Sequence, residues 1–156
     1  MKVVIVCASV SHGNTRRVAD TMARVLDAQA VRPGEADPAQ LAGADLVGFG
    51  SGVFHGRLHP GLSEFVKSLP PSRGQAFVFA TSGLPELPPT PFTRSLVRLL
   101  ESKGFAVNGS FSCRAFDTWA PFRLVGGINK QRPNAADLAA ARAFAERLRD
   151  GKGAVS

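Results

Sequence analysis

Short apolar runs alternate along this chain with longer segments in which apolar residues recur every three or four positions. The short runs are typical of buried strands, and the longer spacing is typical of helices that cover a sheet. Strands are predicted at residues 3–8, 45–50, 76–81 and 105–112, with a weaker one at 29–32. Several of these runs are almost continuously apolar, which indicates a parallel sheet with helices on both faces.

Five helices are predicted between and after these strands, and residues at their ends favour helix starts and stops. Asn134 and the pair Thr90–Pro91 are suited to begin helices, whereas Pro70–Pro71 and Gly104 are suited to end them. A short second helix is predicted around residues 38–42. The apolar stripes of the other four are Val18, Met22, Val25 and Leu26; Leu62, Phe65, Val66 and Leu69; Leu96, Leu99 and Leu100; and Leu138, Ala141, Phe144, Ala145 and Leu148.

This alternation predicts one doubly wound α/β domain over residues 1–156, with a five-stranded parallel sheet. Right-handed crossovers leave few strand orders, and 2-1-3-4-5 is the commonest at this length. One long irregular stretch remains at residues 113–133. Irregular segments of that length inside compact domains usually have a functional role.

The net charge of +7 comes from 19 basic and 12 acidic residues, with the excess after position 50. The excess favours acidic partners through long-range attraction. The basic residues are spread singly, without a Lys/Arg run or an aromatic-plus-basic motif, so nucleic-acid binding is not expected.

The cysteines and the hydropathy pattern indicate a reducing, cytoplasmic location. Cys7 and Cys113 are too few and too far apart for a disulfide framework or a zinc site, and both lie in apolar runs that predict buried thiols. No apolar stretch approaches the length of about 18 residues that a membrane span requires. The apolar run at residues 3–8 is also too short for a secretion signal.

The loop after the first strand leads directly into a helix. Free N–H groups and a partial positive charge at a helix N-terminus attract phosphate. A glycine in this loop allows close approach of the backbone, and hydroxyls supply further donors; the alternative is an ordinary helix cap with polar residues. The candidate phosphate ligands are Ser9, Ser11, His12, Gly13, Asn14 and Thr15.

Glycines are concentrated at residues 48–56, after the start of the third strand. They suggest that the backbone packs closely against a flat ligand on which Phe54 or His55 stacks; the alternative is a flexible connection. A similar loop of small residues follows the fourth strand. The candidates in these two loops are Ser51, Gly52, Val53, Phe54, His55, Gly56, Thr81, Ser82, Gly83 and Leu84.

Together these three loops resemble the flavodoxin family, in particular flavodoxin-domain proteins whose phosphate loop reads His-Gly-Asn-Thr, here residues 12–15. The resemblance spans essentially the whole chain, including residues 126–134. It implies a flavodoxin-like fold that binds FMN, with the phosphate held by residues 9–15 and the isoalloxazine ring by 51–56 and 81–84. In the family the flavin N5 receives its hydrogen bond from the second loop, which would make residues 52–55 the redox-linked segment.

The chain departs from the family pattern at three places. Val10 and His12 occupy positions where flavodoxins commonly carry hydroxyls, and His12 either adds charge or points into water. The chain has no tyrosine to cover the outer flavin face, so Trp119 is the candidate replacement; a half-buried structural tryptophan is the alternative. No Asp or Glu lies between Asp45 and Glu64, which predicts a less negative potential for full reduction than in acidic flavodoxins.

Three functions remain open on the sequence alone. The first is an electron-transfer protein that binds FMN, passes electrons to a protein partner, and has no catalytic acid or base. The second is an FMN-dependent NAD(P)H or quinone oxidoreductase, with residues 113–133 as a lid whose bases Arg123, Lys130 and Arg132 recognise a nicotinamide phosphate. The third is an interaction module that has the fold and has lost the flavin.

Overall fold

The computed structural model describes residues 1–8, 14–54, 57–82, 92–114 and 134–151. The strands are β1 (Val3–Ala8), β2 (Gln29–Val31), β3 (Leu46–Phe54), β4 (Arg57–Leu58), β5 (Gln75–Ser82) and β6 (Ala106–Arg114). The α-helices are α1 (Asn14–Leu26), α2 (Pro38–Ala42), α3 (Pro60–Ser68), α4 (Phe92–Ser102) and α5 (Ala135–Arg149), and a 3₁₀ turn covers Pro33–Glu35.

The parallel sheet has the order β2-β1-β3-β5-β6. Counted among the five parallel strands alone, this is the predicted order 2-1-3-4-5. The short strand β4 was not predicted; it pairs antiparallel with the end of β3 and extends the edge where the loops were expected to meet. All neighbouring strands of the main sheet are parallel, so their carboxyl ends share one edge.

Apolar cores lie on both faces of the sheet, as the continuous apolar runs predicted. All six residues of β1 are buried, and they alternate between the two cores. Val4 and Val6 pack on the side of α3 and α4, where Leu62 and Val66 are fully buried. Burying a side chain of this size stabilises the fold by roughly 1.5–3 kcal/mol. The opposite core packs α1 and α5 against the sheet through Val18, Met22, Ala141 and Phe144.

Strand β3 extends to Phe54, four positions beyond the predicted end at residue 50. Gly48 and Gly50 lie within this strand, as predicted, and the interpretation that they approach a flat ligand was wrong. A Cβ at Gly48 would lie 2.3 Å from Phe77 Cζ, and a Cβ at Gly50 would lie 2.0 Å from Phe79 Cζ. These glycines make room for two aromatic rings of the neighbouring strand β5.

The start of α5 confirms the predicted cap at Asn134. Its side chain accepts a hydrogen bond from Asp137 N at 3.0 Å, and the Asp137 carboxylate accepts one from Asn134 N at 2.8 Å. This reciprocal capping box fixes the point where the chain returns to the carboxyl edge of the sheet. The preceding irregular stretch begins later than predicted, because β6 continues through Cys113 to Arg114.

Helix α4 is described from Phe92, so the predicted cap Thr90–Pro91 lies outside the described residues. Its predicted end at Gly104 is confirmed: Gly104 has φ +101°, and a Cβ there would lie 2.0 Å from the Ser72 carbonyl oxygen. Among the described helices, none is both long and apolar enough to cross a membrane.

Candidate functional site

The carboxyl ends of β1, β3 and β5 lie side by side. Ala8 at the end of β1 is in register with Ser51 of β3, and Gly52 is in register with Thr81 of β5. The three segments that carry the predicted binding residues therefore begin at adjacent positions along one edge, as the predicted topology requires.

A buried pair of hydroxyl groups closes this edge. Thr15 Oγ1 in the first turn of α1 lies 2.7 Å from Thr81 Oγ1 at the end of β5, and each residue is only 2% exposed. The two hydroxyls carry two protons, and their contact uses one of them. Within residues 14–54 and 57–82, the contact between the two hydroxyls is the hydrogen bond that the structure shows for this pair, so at most one proton remains for a further acceptor.

Gly52 provides a close approach to this pair. A Cβ at Gly52 would lie 3.3 Å from Thr15 Oγ1 and 3.9 Å from Thr81 Oγ1, so a side chain there would crowd the hydroxyls. Glycine leaves the backbone of β3 open at the point where the three strands meet. This glycine, unlike Gly48 and Gly50, is not filled by an aromatic ring.

The amino ends of α1, α3 and α4 follow the carboxyl ends of β1, β3 and β5 along the chain. None of the three has an acidic residue in its first turn. On α1, Arg16 pairs with Asp20 at 3.0 Å with both side chains about half exposed, and Arg17 is exposed. Helix N-termini carry partial positive charge, so the described part of this edge favours an anion.

Comparison with known proteins identifies the family of this chain. A family model described as "Flavodoxin domain" matches residues 5–85, which contain most of β1, all of β3 and β5, and the segments between them. The chain belongs to the flavodoxin family. An uncharacterized protein of Methanocaldococcus jannaschii is 36% identical over 148 residues, which cover 95% of this chain and 98% of that one.

Solved flavodoxins share the fold of this family member at low sequence identity. A flavodoxin from the domain Archaea has a TM-score of 0.74 at 15% identity, covering 97% of this chain and 99% of that one. Oxidised flavodoxin 1 from Bacillus cereus has a TM-score of 0.67 at 18% identity, covering 93% and 95%.

Predicted site residues fall into three groups in this flavodoxin fold. The structure describes the side-chain environment of Thr15, Ser51, Gly52, Val53 and Thr81, and brings them together at the carboxyl edge. For Asn14, Phe54 and Ser82 it describes the backbone, at the ends of α1, β3 and β5. The predicted residues outside the described ranges are Ser9, Ser11, His12, Gly13, His55, Gly56, Gly83, Leu84 and Trp119.

Ser51 is engaged within the protein. Its Oγ donates to the Gly52 carbonyl oxygen at 2.6 Å and accepts from His59 N at 2.8 Å. His59 was not predicted as a site residue. It is the N-cap of α3, and its Nδ1 accepts from Gly61 N at 2.9 Å. The signal in the sequence was a polar residue directly before Pro60, which is the usual place for a cap.

Cys7 is buried beside this edge, as predicted. Burial raises the pKa of its thiol to about 12; the charge of Arg16 acts in the opposite direction, and that of Asp20 adds to the increase. The thiol therefore stays protonated at neutral pH and packs as a small apolar group among Val18 and Met22. The side chain of Cys113 lies outside the described residues.

Proposed function

We propose that this protein binds FMN at the carboxyl edge of its sheet and transfers electrons to a protein partner. The observation that carries the proposal is the meeting of Thr15, Gly52 and Thr81 at the first turn of α1, with a buried pair of hydroxyls and an open backbone position. FMN would supply reversible one- and two-electron redox chemistry, and the polypeptide would supply binding and electrostatics.

The amino end of α1 would hold the phosphate. Its first turn contains no acidic residue and includes Arg16 and Arg17, so it favours a dianion. Residues 9–15 would donate from their main-chain N–H groups, with hydroxyls from Ser11 and the Thr15–Thr81 pair as further donors. At most one proton of that pair could be donated to the phosphate, because the other lies between the two oxygens.

The flavin ring would lie against the end of β3 and the start of the loop after β5. Gly52 leaves the backbone open there, and Val53 is partly buried against the core that contains Leu62. Residues 53–56 and 81–84 would orient the ring and exclude water from one side of it. Trp119 stays the proposed cover for the outer face.

The described groups of this edge are suited to hold a cofactor, and electron transfer requires no more of them. The Cys7 thiol is protonated at neutral pH, and the Ser51 hydroxyl and His59 Nδ1 are engaged in hydrogen bonds within the protein. None of these three groups is placed as an activated nucleophile. Main-chain groups and hydroxyls are sufficient to bind a cofactor that performs the chemistry itself.

The partner would present an acidic surface, and the location would be the cytoplasm. The absence of acidic residues in the first turns of α1, α3 and α4, together with the net charge of +7, supports attraction of an acidic protein. Such an association weakens as ionic strength rises. A buried reduced thiol at Cys7 fits a reducing compartment.

The phosphate loop is tested by Gly13→Val, compared with Gly34→Val. A β-branched side chain at position 13 would obstruct the phosphate, and we expect FMN to bind about 100-fold more weakly or worse. A Cβ at Gly34 meets nothing within 4 Å, so that variant controls for loss of a glycine. If both variants bind FMN like the wild type, residues 9–15 do not hold the phosphate.

Carrier and oxidoreductase are separated by mixing the FMN-loaded protein anaerobically with NADH or NADPH. A carrier leaves the flavin absorption unchanged over minutes, because electrons reach it from a protein partner. Bleaching within seconds would replace the carrier proposal with the oxidoreductase alternative.

A further inference from the structure

The hydroxyl group of Ser51 joins the two ends of the β3–β4 hairpin. His59 N–H donates to Ser51 Oγ at 2.8 Å, and the same hydroxyl donates to the Gly52 carbonyl oxygen at 2.6 Å. Ser51 is 0% exposed, so neither bond competes with water. Loss of such a partner leaves a buried backbone group without a hydrogen bond, which strongly destabilises the folded protein.

This hydroxyl occupies a defined position in the strand ladder. Val53 pairs with Leu58 and Phe54 pairs with Arg57, so continuation of that register would place Gly52 opposite His59. There the Ser51 hydroxyl lies between the His59 N–H and the Gly52 carbonyl oxygen. At the base of the hairpin, a side-chain hydroxyl therefore links the two strands by hydrogen bonds.

Ser51 also lies where β3 passes from the central sheet into the hairpin. It is in register with Ala8 of β1 on one side and Ala80 of β5 on the other. One residue later, Gly52 is still in register with Thr81. The Gly52 carbonyl that Ser51 holds therefore belongs to a residue that closely approaches the Thr15–Thr81 pair.

On its other side the bond reaches the start of α3. His59 is the N-cap of this helix, and Leu62 and Val66 bury the helix in the core. The hydrogen bond from His59 to Ser51 therefore connects the base of the hairpin to a helix that is anchored in the core.

We propose that Ser51 is a positioning residue, whose hydroxyl sets the orientation of the Gly52 carbonyl and of the β3–β4 hairpin, and thereby sets both the FMN affinity and the reduction potential. This inference rests on the proposed function. The Ser51 hydroxyl uses one of the two lone pairs of the Gly52 carbonyl oxygen and so fixes the direction in which that carbonyl points.

Removal of the hydroxyl in Ser51→Ala frees the Gly52 carbonyl, which belongs to a glycine and can rotate readily. We expect FMN affinity to fall about tenfold or more in the oxidised state. The fully reduced state loses less, because the freed carbonyl can accept from the N–H that the flavin gains on reduction. A tenfold difference between the two losses raises the two-electron potential by about 30 mV.

Ser68→Ala is the matched control. Ser68 Oγ also donates to a backbone carbonyl, that of Phe65 at 2.6 Å, but it lies near the end of α3 and is exposed. Its loss is expected to leave FMN affinity and potential unchanged. Ser51→Thr retains the hydroxyl and is expected to return the potential toward the wild-type value.

The two hydrogen bonds of the Ser51 hydroxyl, from His59 N–H and to the Gly52 carbonyl oxygen, form a clamp at the base of the hairpin. Hydrogen exchange of the His59 amide in the flavin-free protein tests this clamp independently of FMN. The amide is expected to be protected in the wild type and in Ser68→Ala, and to exchange at least about tenfold faster in Ser51→Ala. Equal exchange in all three proteins would show that the clamp does not exist.

If exchange changes and no variant, wild type included, binds FMN, the proposed function fails and the clamp stands. If FMN binds to Ser51→Ala with unchanged affinity and potential, the positioning proposal is wrong while the function stands.

Discussion

Thr15 and Thr81 are separated by 66 positions in the chain, yet their side-chain oxygens lie 2.7 Å apart in a buried contact. The contact joins the first turn of α1 to the carboxyl end of β5. Gly52 of β3 approaches it so closely that a Cβ would lie 3.3 Å from Thr15 Oγ1. Two strands of the sheet and the amino end of a helix thus meet at a single pair of hydroxyls.

Substitution of Thr81 by valine removes this contact and keeps the shape of the side chain. Thr15 Oγ1 then loses its partner in a buried position, so we expect the flavin-free protein to be destabilised by about 1–3 kcal/mol. FMN affinity should fall as well, since the remaining Thr15 hydroxyl is no longer held in place by its partner. Urea unfolding and a fluorescence titration with FMN measure the two effects.

Thr21→Val is the control for Thr81→Val. Thr21 is also buried, but its Oγ1 bonds the Arg17 carbonyl oxygen at 3.0 Å along α1. Its valine variant should bind FMN normally. Equal FMN affinity in the two variants would show that the hydroxyl pair does not contribute to FMN binding.

Gly48→Ala is expected to reduce mainly the stability of the protein, and Gly52→Ala mainly its FMN affinity. At Gly48 the new Cβ would lie 2.3 Å from Phe77 in the core, so unfolding free energy should fall by about 1–3 kcal/mol or more. At Gly52 the new Cβ crowds only the hydroxyl pair, so FMN affinity should fall with a smaller loss of stability. Chemical denaturation and FMN titration of both variants, with Gly34→Ala as reference, measure this. If Gly52→Ala binds FMN normally, the flavin does not lie against that backbone.

Much of the sheet and its helix ends could be predicted from the sequence, because local pattern determines them. The strand order, the cap at Asn134 and the stop at Gly104 follow from apolar runs and from the chemistry of single residues. The full length of β3 could not be predicted. Ser51 and Gly52 were predicted to lie in a loop, whereas they pair with Ala80 and Thr81 of another strand, which local pattern does not show.

At the site, the sequence predicted which segments would meet but not how their side chains would bond. Thr15 and Thr81 were each predicted as cofactor-binding residues from their loops alone, whereas their mutual hydrogen bond depends on the register of β3 with β5. The bond from His59 N to Ser51 depends on the hairpin register in the same way. Side-chain contacts of this kind are set by tertiary packing, which local pattern does not contain.

Arg17→Glu tests the electrostatic prediction for the bound flavin. Arg17 lies in the first turn of α1, and reversal of its charge should make the potential of full reduction more negative by tens of millivolts at low salt, since a reduced flavin carries negative charge. Arg24→Glu places the same change in the last turn, about 10 Å farther along the helix, and should have a smaller effect. Redox titration at two salt concentrations provides the measurement. Equal shifts in both variants would contradict a local effect at the site.

The stability of the protein should depend on pH in the alkaline range through Cys7. Its pKa is raised from 9.0 to about 12 in the folded state by burial, so the unfolded chain releases the thiol proton first as pH rises. The contribution of Cys7 is complete below about pH 9 and is lost as pH rises from there to about 12. Urea unfolding across this range should show a flatter pH dependence for Cys7→Ala than for the wild type. The same slope in both proteins would show that the thiol is not the group concerned.

The most direct test of the account is a parallel titration of the flavin-free protein with FMN and with riboflavin, which lacks the phosphate. The account predicts that one equivalent of FMN binds with a change in its visible absorption, and that riboflavin binds about 100-fold more weakly or worse, because charge-assisted hydrogen bonds to the phosphate are lost. Equal binding of the two flavins, or no binding of FMN, would contradict a phosphate held at the amino end of α1.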